Sequence, residues 1–488
     1  VVFIVTMGMN HTTTSDAAQQ PQLWPLDQAM LQITADDVLS IRDLCEGVFV
    51  IGNTGSGKSS TTGTMIPMAA LRDGWGVVAY TTKPEDAAFW ERLCDQAGRR
   101  DHLLIVRPDG KTHFNLMRYE MERLTTGAGN TVVLANLLSE IFREGKQIAT
   151  PTEASEYFQS LSEICLCSAI DILRLAKEPL NLDAINRLID AAPMHRNDLD
   201  DPKWQARFCF QTILRADANA KTEAEKRTCR IATEYFLGTL PNMNDRSRGD
   251  VISTIQAGLF QLNRDPVRNL LDSPEGCSFM PEWLERGLVL VVDCSPAVYG
   301  TVGRMLTIAF KRIVKQMLRR RVIEGEWTRP VLNFADEAQT YVTRDDADFQ
   351  QVCRSNRVAT VFLTQSFDNF EAALGSEAHT NSLANALTTH FYHATSGKTA
   401  EWIERRIASD WDDTESVQMP GRNPDGHAGS PSMSFNEGMY PRIPASELTG
   451  LRTGGPLNDG LVDAIVFKPG RRFKSSGAPF VRVTFRQG

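Results

Sequence analysis

The run Gly52-Asn53-Thr54-Gly55-Ser56-Gly57-Lys58-Ser59 has the residue types and the spacing to hold a nucleoside triphosphate. Its glycines let backbone N–H groups turn inward around phosphate oxygens. Lys58 supplies a mobile positive charge for the β- and γ-phosphates. The Ser59 hydroxyl is an oxygen ligand suited to Mg²⁺, and Ser60 follows directly. The expected ligand of Gly52 to Ser60 is therefore ATP with Mg²⁺. The context is the one the motif requires: an apolar strand at residues 47–51 leads in, and a helical stretch at 58–71 leads out.

A second cluster can complete the chemistry. In Val331-Leu332-Asn333-Phe334-Ala335-Asp336-Glu337 an apolar strand delivers two acids at its C-terminal end, where α/β sheets bind ligands. Asp336 is expected to hold Mg²⁺ through water. Glu337 is placed to polarise an attacking water as general base. Gln365, just past the strand at 360–363, could sense the γ-phosphate or orient water, though a surface glutamine in a turn has the same spacing. Gly397-Lys398-Thr399 only imitates the end of a phosphate loop, since the first glycine would fall on Tyr392. His390 and His393 lie three apart on a predicted strand, face opposite sides and read as core or edge histidines rather than a metal pair. Lys311, Lys315 and Arg319, with Arg312 and Arg320 beside them, form a basic helical stripe. It could touch nucleic-acid phosphates, but such a stripe is more often a solvated face.

The elements needed to position these groups are legible. Strands are predicted at 47–51, 76–80, 103–106, 288–293, 331–334, 360–363 and 390–393, with a closing hairpin from 464–467 and 481–485. Strands alternating with helices imply an α/β fold with a mostly parallel sheet covered on both faces. Between 118 and 273 the strand pattern vanishes. Helices are expected at 130–144, 153–173 and 250–262, and Asn181 as an N-cap opens another. This gives a first nucleotide-binding segment at 23–117, an all-α insertion at 118–273 and a second nucleotide-binding segment at 274–488. Residues 1–22 read as disordered, and 420–431 as a Gly/Pro/Ser-rich loop.

The 488 residues are 42% hydrophobic and 23% charged, enough to bury a core, and the net charge of −8 argues against wholesale coating of nucleic acid. The nine cysteines form no C-x-x-C pair, which points to reduced thiols in the cytoplasm rather than zinc. No segment reaches the roughly 20 apolar residues of a transmembrane helix. Val1 to Val5 is too short; it reads as an added leader or the stub of a removed membrane helix.

The order phosphate loop, helical insertion, Asp-Glu strand, strand plus glutamine resembles the type IV secretion coupling proteins of the TraG/TraD kind, in the HerA/FtsK superfamily. Lys83-Pro84-Glu85 lies where that family shows Asp-Pro-Lys-Gly-Glu, and Phe114-Asn115-Leu116-Met117 resembles its Asn-Pro-Leu segment. The stretches from Asp250 to Val267, Trp283 to Gly287, and Cys353-Arg354-Ser355-Asn356-Arg357 leading to Thr364-Gln365 follow in the family's order. The similarity spans residues 39–485. It departs at Thr81 and Thr82, where the family has Asp-Pro; the family's N-terminal membrane helices are not among these residues, which reads as a trimmed form with Val1 to Val5 as a remnant or as a soluble branch of the family.

The resemblance implies a RecA-like P-loop NTPase core whose helical domain faces the substrate entrance. It implies ATP hydrolysis that drives DNA, or a relaxase–DNA or protein cargo, into a channel. The implied partners are that cargo, secretion-channel ATPases or membrane components, and five further copies of the chain in a hexamer. The implied location is the cytoplasm, at the inner-membrane face. In such a ring Arg354 or Arg357 would complete the neighbour's ATP site. Two other functions fit the motifs: a HerA-like DNA motor in DNA processing or phage defence, and a cargo receptor in which nucleotide only sets conformation. Intact Lys58, Asp336 and Glu337 argue against the receptor.

Overall fold

The structure is a computed structural model that describes residues 22–125, 127–145, 153–418 and 432–487. The segments read as disordered (1–22, save Gln22) and as a Gly/Pro/Ser loop (420–431) lie outside them. Thirteen strands occur in the described chain: β1 (Ala29–Gln32), β2 (Val38–Ser40), β3 (Val48–Ile51), β4 (Gly76–Tyr80), β5 (Leu103–Val106), β6 (Val289–Val292), β7 (Val331–Ala335), β8 (Val358–Thr364), β9 (Thr389–Tyr392), β10 (Ser409–Gln418), β11 (Ser432–Pro441), β12 (Leu461–Phe467) and β13 (Phe480–Arg486).

Nine of them make one sheet in the order β13-β12-β9-β3-β8-β7-β4-β6-β5. From β9 through β5 all pairings are parallel; β12 and β13 add an antiparallel hairpin at one edge. Every strand expected from the apolar runs is present. Two antiparallel pairs, β1–β2 and β10–β11, were not anticipated. They are polar or mixed in sequence and lie outside the central sheet, so they lack the apolar run that marks a buried strand.

Both faces of the sheet are covered, and alternate residues of each strand go to opposite cores. Val48, Val50, Val77, Ala79, Val289 and Val291 pack with Ile66, Leu71, Trp90 and Leu93 of the helices Thr62–Arg72 and Asp86–Gln96. Phe49, Ile51, Val78, Leu290 and Val292 face the other way, toward the long helix Pro296–Arg320, which breaks at Gly300.

That second core does not stop at the sheet. It runs on through Leu134, Leu138 and Ile141 of Thr131–Gly145 and through Ile170 and Leu173 of Glu153–Leu175. Among the described residues between β5 and β6 all regular elements are helical. The ends of this block are zipped together: Phe114 N donates to Asn269 O, Ser273 N to Phe114 O, and Asn115 Nδ2 to Ser273 O at 2.8 Å. Asn181 caps Leu182–Asp190 as expected, accepting from Ala184 N at 2.7 Å.

Candidate nucleotide site and its acidic partner

The phosphate loop joins β3 to Thr62–Arg72 at the C-terminal edge of the parallel strands. The regular helix starts at Thr62 rather than at Lys58 as expected, because Thr61 (φ −115°, ψ −90°) interrupts it. Lys58 to Thr61 instead form a turn closed by Thr61 N to Gly57 O and Gly63 N to Lys58 O.

The turn leaves donors free. Among the described residues none accepts from the amides of Gly55, Gly57, Lys58, Ser59 or Ser60, and Ser56 Oγ is buried without a partner. Such a nest of N–H groups suits an anion. Gly57 has φ +83°, and a Cβ there would lie 2.5 Å from the Val462 side chain, so only glycine lets the loop rest on β12. At Gly52 a Cβ would strike His393 and Ser56. Asn53 is held by Ala394 O through its amide and by Thr395 and Ser396 through its side chain. Ser60 accepts from Gln487 Nε2.

The neighbouring strands deliver the rest. Strand order puts β8 between β3 and β7, so Gln365 at the end of β8 stands between the phosphate loop and the acids after β7. The hydroxyl of Thr54 donates to Gln365 Oε1 at 2.8 Å, and Gln365 Nε2 donates to Glu337 Oε1 at 2.8 Å. Gln339 Nε2 donates to Glu337 Oε2 at 2.8 Å and is itself oriented by Thr364 Oγ1 at 2.9 Å. Both oxygens of Glu337 are thus fixed. Lys58 Nζ is 3.7 Å and Lys83 Nζ 3.9 Å from Glu337 Oε1.

Burial alone would raise the Glu337 pKa. The amide donors of Gln365 and Gln339, with the charges of Lys58 and Lys83, outweigh that and hold the carboxyl below its ordinary range. Glu337 also sits in the left-handed region (φ +51°), a conformation that costs a non-glycine residue about 1–2 kcal/mol and is most often found at functional turns.

Ser59 Oγ donates to Asp336 Oδ2 at 2.7 Å. A hydroxyl and a carboxylate side by side, beside the amide nest, form a hard-oxygen donor set that fits Mg²⁺ with a triphosphate.

Two further expectations change. Lys311 and Lys315 are neither a solvated face nor a DNA contact: both are buried. Lys311 Nζ donates to Asp346 at 2.6 Å and to Tyr341 O at 2.7 Å, and Lys315 pairs with Asp345 and Asp346. Arg319 and Arg312 also pair with Asp345, and Arg312 reaches Glu140 of the helical block at 2.6 Å. Periodicity marks a helix face but not what packs on it, and three acids on other elements cover this one. Arg357 does not reach outward to a neighbour: it is buried and donates to Trp24 O and Thr328 O. Arg354 is exposed, 3.9 Å from Glu46, at the end of β8 opposite to Gln365.

His390 and His393 are both fully buried, as expected for core residues. Burial, then the charge of Lys58, pushes His393 down to about 3, and its Nε2 shares a hydrogen bond with Thr62. Lys398 pairs with Glu371. Lys83 and Gln339 were not singled out from sequence as site residues. The available signals were the Lys83-Pro84-Glu85 stretch, which resembles the family's Asp-Pro-Lys-Gly-Glu, and a glutamine two positions after Glu337.

Residues 330–452 match the family described as the TraM recognition site of TraD and TraG. No curated protein sequence matches the chain. Among solved structures, the bacterial conjugative coupling protein TrwBdeltaN70 in its unbound form superposes with a TM-score of 0.61 at 15% identity, over 94% of this chain and 88% of that one. The plasmid coupling protein TrwB in complex with ADP and Mg²⁺ gives 0.61 at 14% identity, over 96% and 94%. The fold is therefore that of TrwB, a mostly parallel α/β core with a helical block, and the TraG/TraD resemblance read from the residues is supported by the match over 330–452.

Proposed function

We propose that this chain is an ATP-hydrolysing coupling protein that moves DNA, or a DNA–protein or protein cargo, toward a type IV secretion machine. The observation that carries this reading is the convergence of Lys58, Glu337 and Gln365 at one strand edge, with Ser59 against Asp336 beside them. In this reading the amides of Gly55 and of residues 57–60, with the Lys58 side chain, bind the triphosphate. Ser59 and Asp336 hold Mg²⁺, which would neutralise phosphate charge when bound.

Glu337, ionised and fixed by Gln339 and Gln365, accepts the proton of the water that attacks the γ-phosphorus. Gln365 links that base to the loop through Thr54, so phosphate in the loop and the state of the base are joined through one side chain. TrwB has been solved with an ATP analogue and with ADP and Mg²⁺, which supports nucleotide as the ligand. The helical block at 118–273 is the proposed cargo-facing domain, and a homo-hexamer the proposed assembly, with Arg354 reaching the neighbour's site. Among the described residues no helix is long and apolar enough to cross a membrane.

The test is turnover of ATP by the purified chain with and without single- and double-stranded DNA. A motor shows turnover that DNA stimulates. A chain that binds ATP but does not hydrolyse it under either condition is a receptor instead.

A further inference from the structure

β4 lies beside β7, with Tyr80 paired to Ala335, so the chain leaving β4 runs alongside Asp336 and Glu337. Its backbone is pinned from several directions. Thr81 O accepts from the Tyr341 hydroxyl and Thr82 O from the Ser295 hydroxyl. The amides of Thr82 and Lys83 both donate to Asp86 Oδ2, at 2.8 and 2.9 Å. The Lys83 side chain, by contrast, is half exposed (49%), while that of Lys58 is enclosed (6%). The backbone is fixed while the ammonium group, half exposed and 3.9 Å from Glu337, is not committed to a direct hydrogen bond.

Two lysines thus approach the same oxygen of Glu337 from opposite sides: Lys58 from the phosphate loop next to β3, and Lys83 from the strand beyond β7. When a triphosphate occupies the loop, Lys58 belongs to its phosphates. Lys83 then stands on the far side of the phosphates from Lys58. Resting on the ATPase reading above, we propose that Lys83 is a second catalytic cation, contacting the γ-phosphoryl group from the side opposite to Lys58.

In the step it would assist, the water oxygen bonds to the γ-phosphorus and the bond to the β,γ-bridging oxygen breaks. ADP leaves with that electron pair, and the water proton passes to Glu337. Negative charge spreads over the equatorial oxygens in the transition state, and an ammonium beside them stabilises it more than the ground state.

The experiment compares Lys83→Met, Lys83→Arg and Lys58→Ala with the unaltered full chain. It measures turnover across pH, affinity for a fluorescent ATP analogue, and capture of ADP with aluminium fluoride and Mg²⁺. Lys83→Met should bind the ATP analogue within about threefold of the unaltered chain, lose turnover on the order of 100-fold at every pH, and fail to capture aluminium fluoride. Lys83→Arg should recover part of both losses.

Two outcomes overturn the proposal. One is full turnover and capture in Lys83→Met while Lys58→Ala is dead. The other is a loss that disappears at higher pH, which would mean that Lys83 only tunes Glu337. Failure of the ATPase reading is distinguishable: the unaltered chain then neither turns over ATP nor captures aluminium fluoride.

Discussion

Lysines meet carboxylates in two regions of this molecule, and the two differ in how tightly. At the strand edge Lys58 and Lys83 stand 3.7 and 3.9 Å from Glu337, too far for direct hydrogen bonds, while the carboxylate is fixed by two glutamine amides. Behind the sheet Lys311 lies 2.6 Å from Asp346, and Lys315 is locked between Asp345 and Asp346. Both ammonium groups of the second cluster are buried and hydrogen-bonded to protein acceptors, which keeps them from a ligand. The first cluster keeps its charges close but unspent. Buried ion pairs add little net stability when complete and cost much when one member is removed, whereas a loosely held lysine and a fixed acid are what a phosphoryl-transfer site needs.

The comparison can be broken in order of expected effect. Lys58→Ala should abolish ATP hydrolysis to background, measured as phosphate release, with the fold unchanged by circular dichroism. Retained turnover would place the phosphate site elsewhere. Glu337→Gln should still bind ATP and lose turnover on the order of 100-fold or more, the contribution of a positioned base; an unaltered kcat would remove Glu337 from the chemistry.

The second cluster should answer in stability instead. Asp346→Ala leaves two buried ammonium groups without their shared partner and should cost about 3–5 kcal/mol in urea unfolding. A loss of DNA affinity without any loss of stability would restore the stripe as a nucleic-acid contact.

The smallest effects are on pH. Burial alone would raise Asp346, but Lys311 and Lys315 outweigh it and hold its carboxyl below the usual range. A carboxylate whose folded pKa is depressed contributes stability above its unfolded value of 3.8, and that stability is lost as pH falls through the folded value. Melting temperature should therefore hold from neutral pH down to the ordinary carboxylate range and fall below it. At the site, removing a donor with Gln365→Ala should raise the Glu337 pKa and move the acidic limb of the rate profile to higher pH, with a drop in kcat. An unmoved limb would mean that Gln365 does not act through Glu337.

The sequence by itself determined the central strands, the phosphate loop and the acidic pair. Each rests on local physics: an unbroken apolar run must be buried, glycines at set spacing free the backbone, and acids that end such a run sit at the ligand-binding edge. It also marked the helical block and the Asn181 cap, because amphipathic period and capping are local as well. Only the tertiary structure decided what faces what. Lys311 and Lys315 have the spacing of an exposed stripe, but helix Asp345–Cys353, about 30 residues on in the chain, delivers acids that bury it. Arg357 has the type of a reaching arginine, but the carbonyls of Trp24 and Thr328 claim it. Gln339 carries no motif of its own, and Lys83 lies in a stretch, Lys83-Pro84-Glu85, that resembles the family's but gave it no place at the site. They join the site because β4 and β8 flank β7, and a strand order set by long-range pairing is not written in the spacing of any one segment.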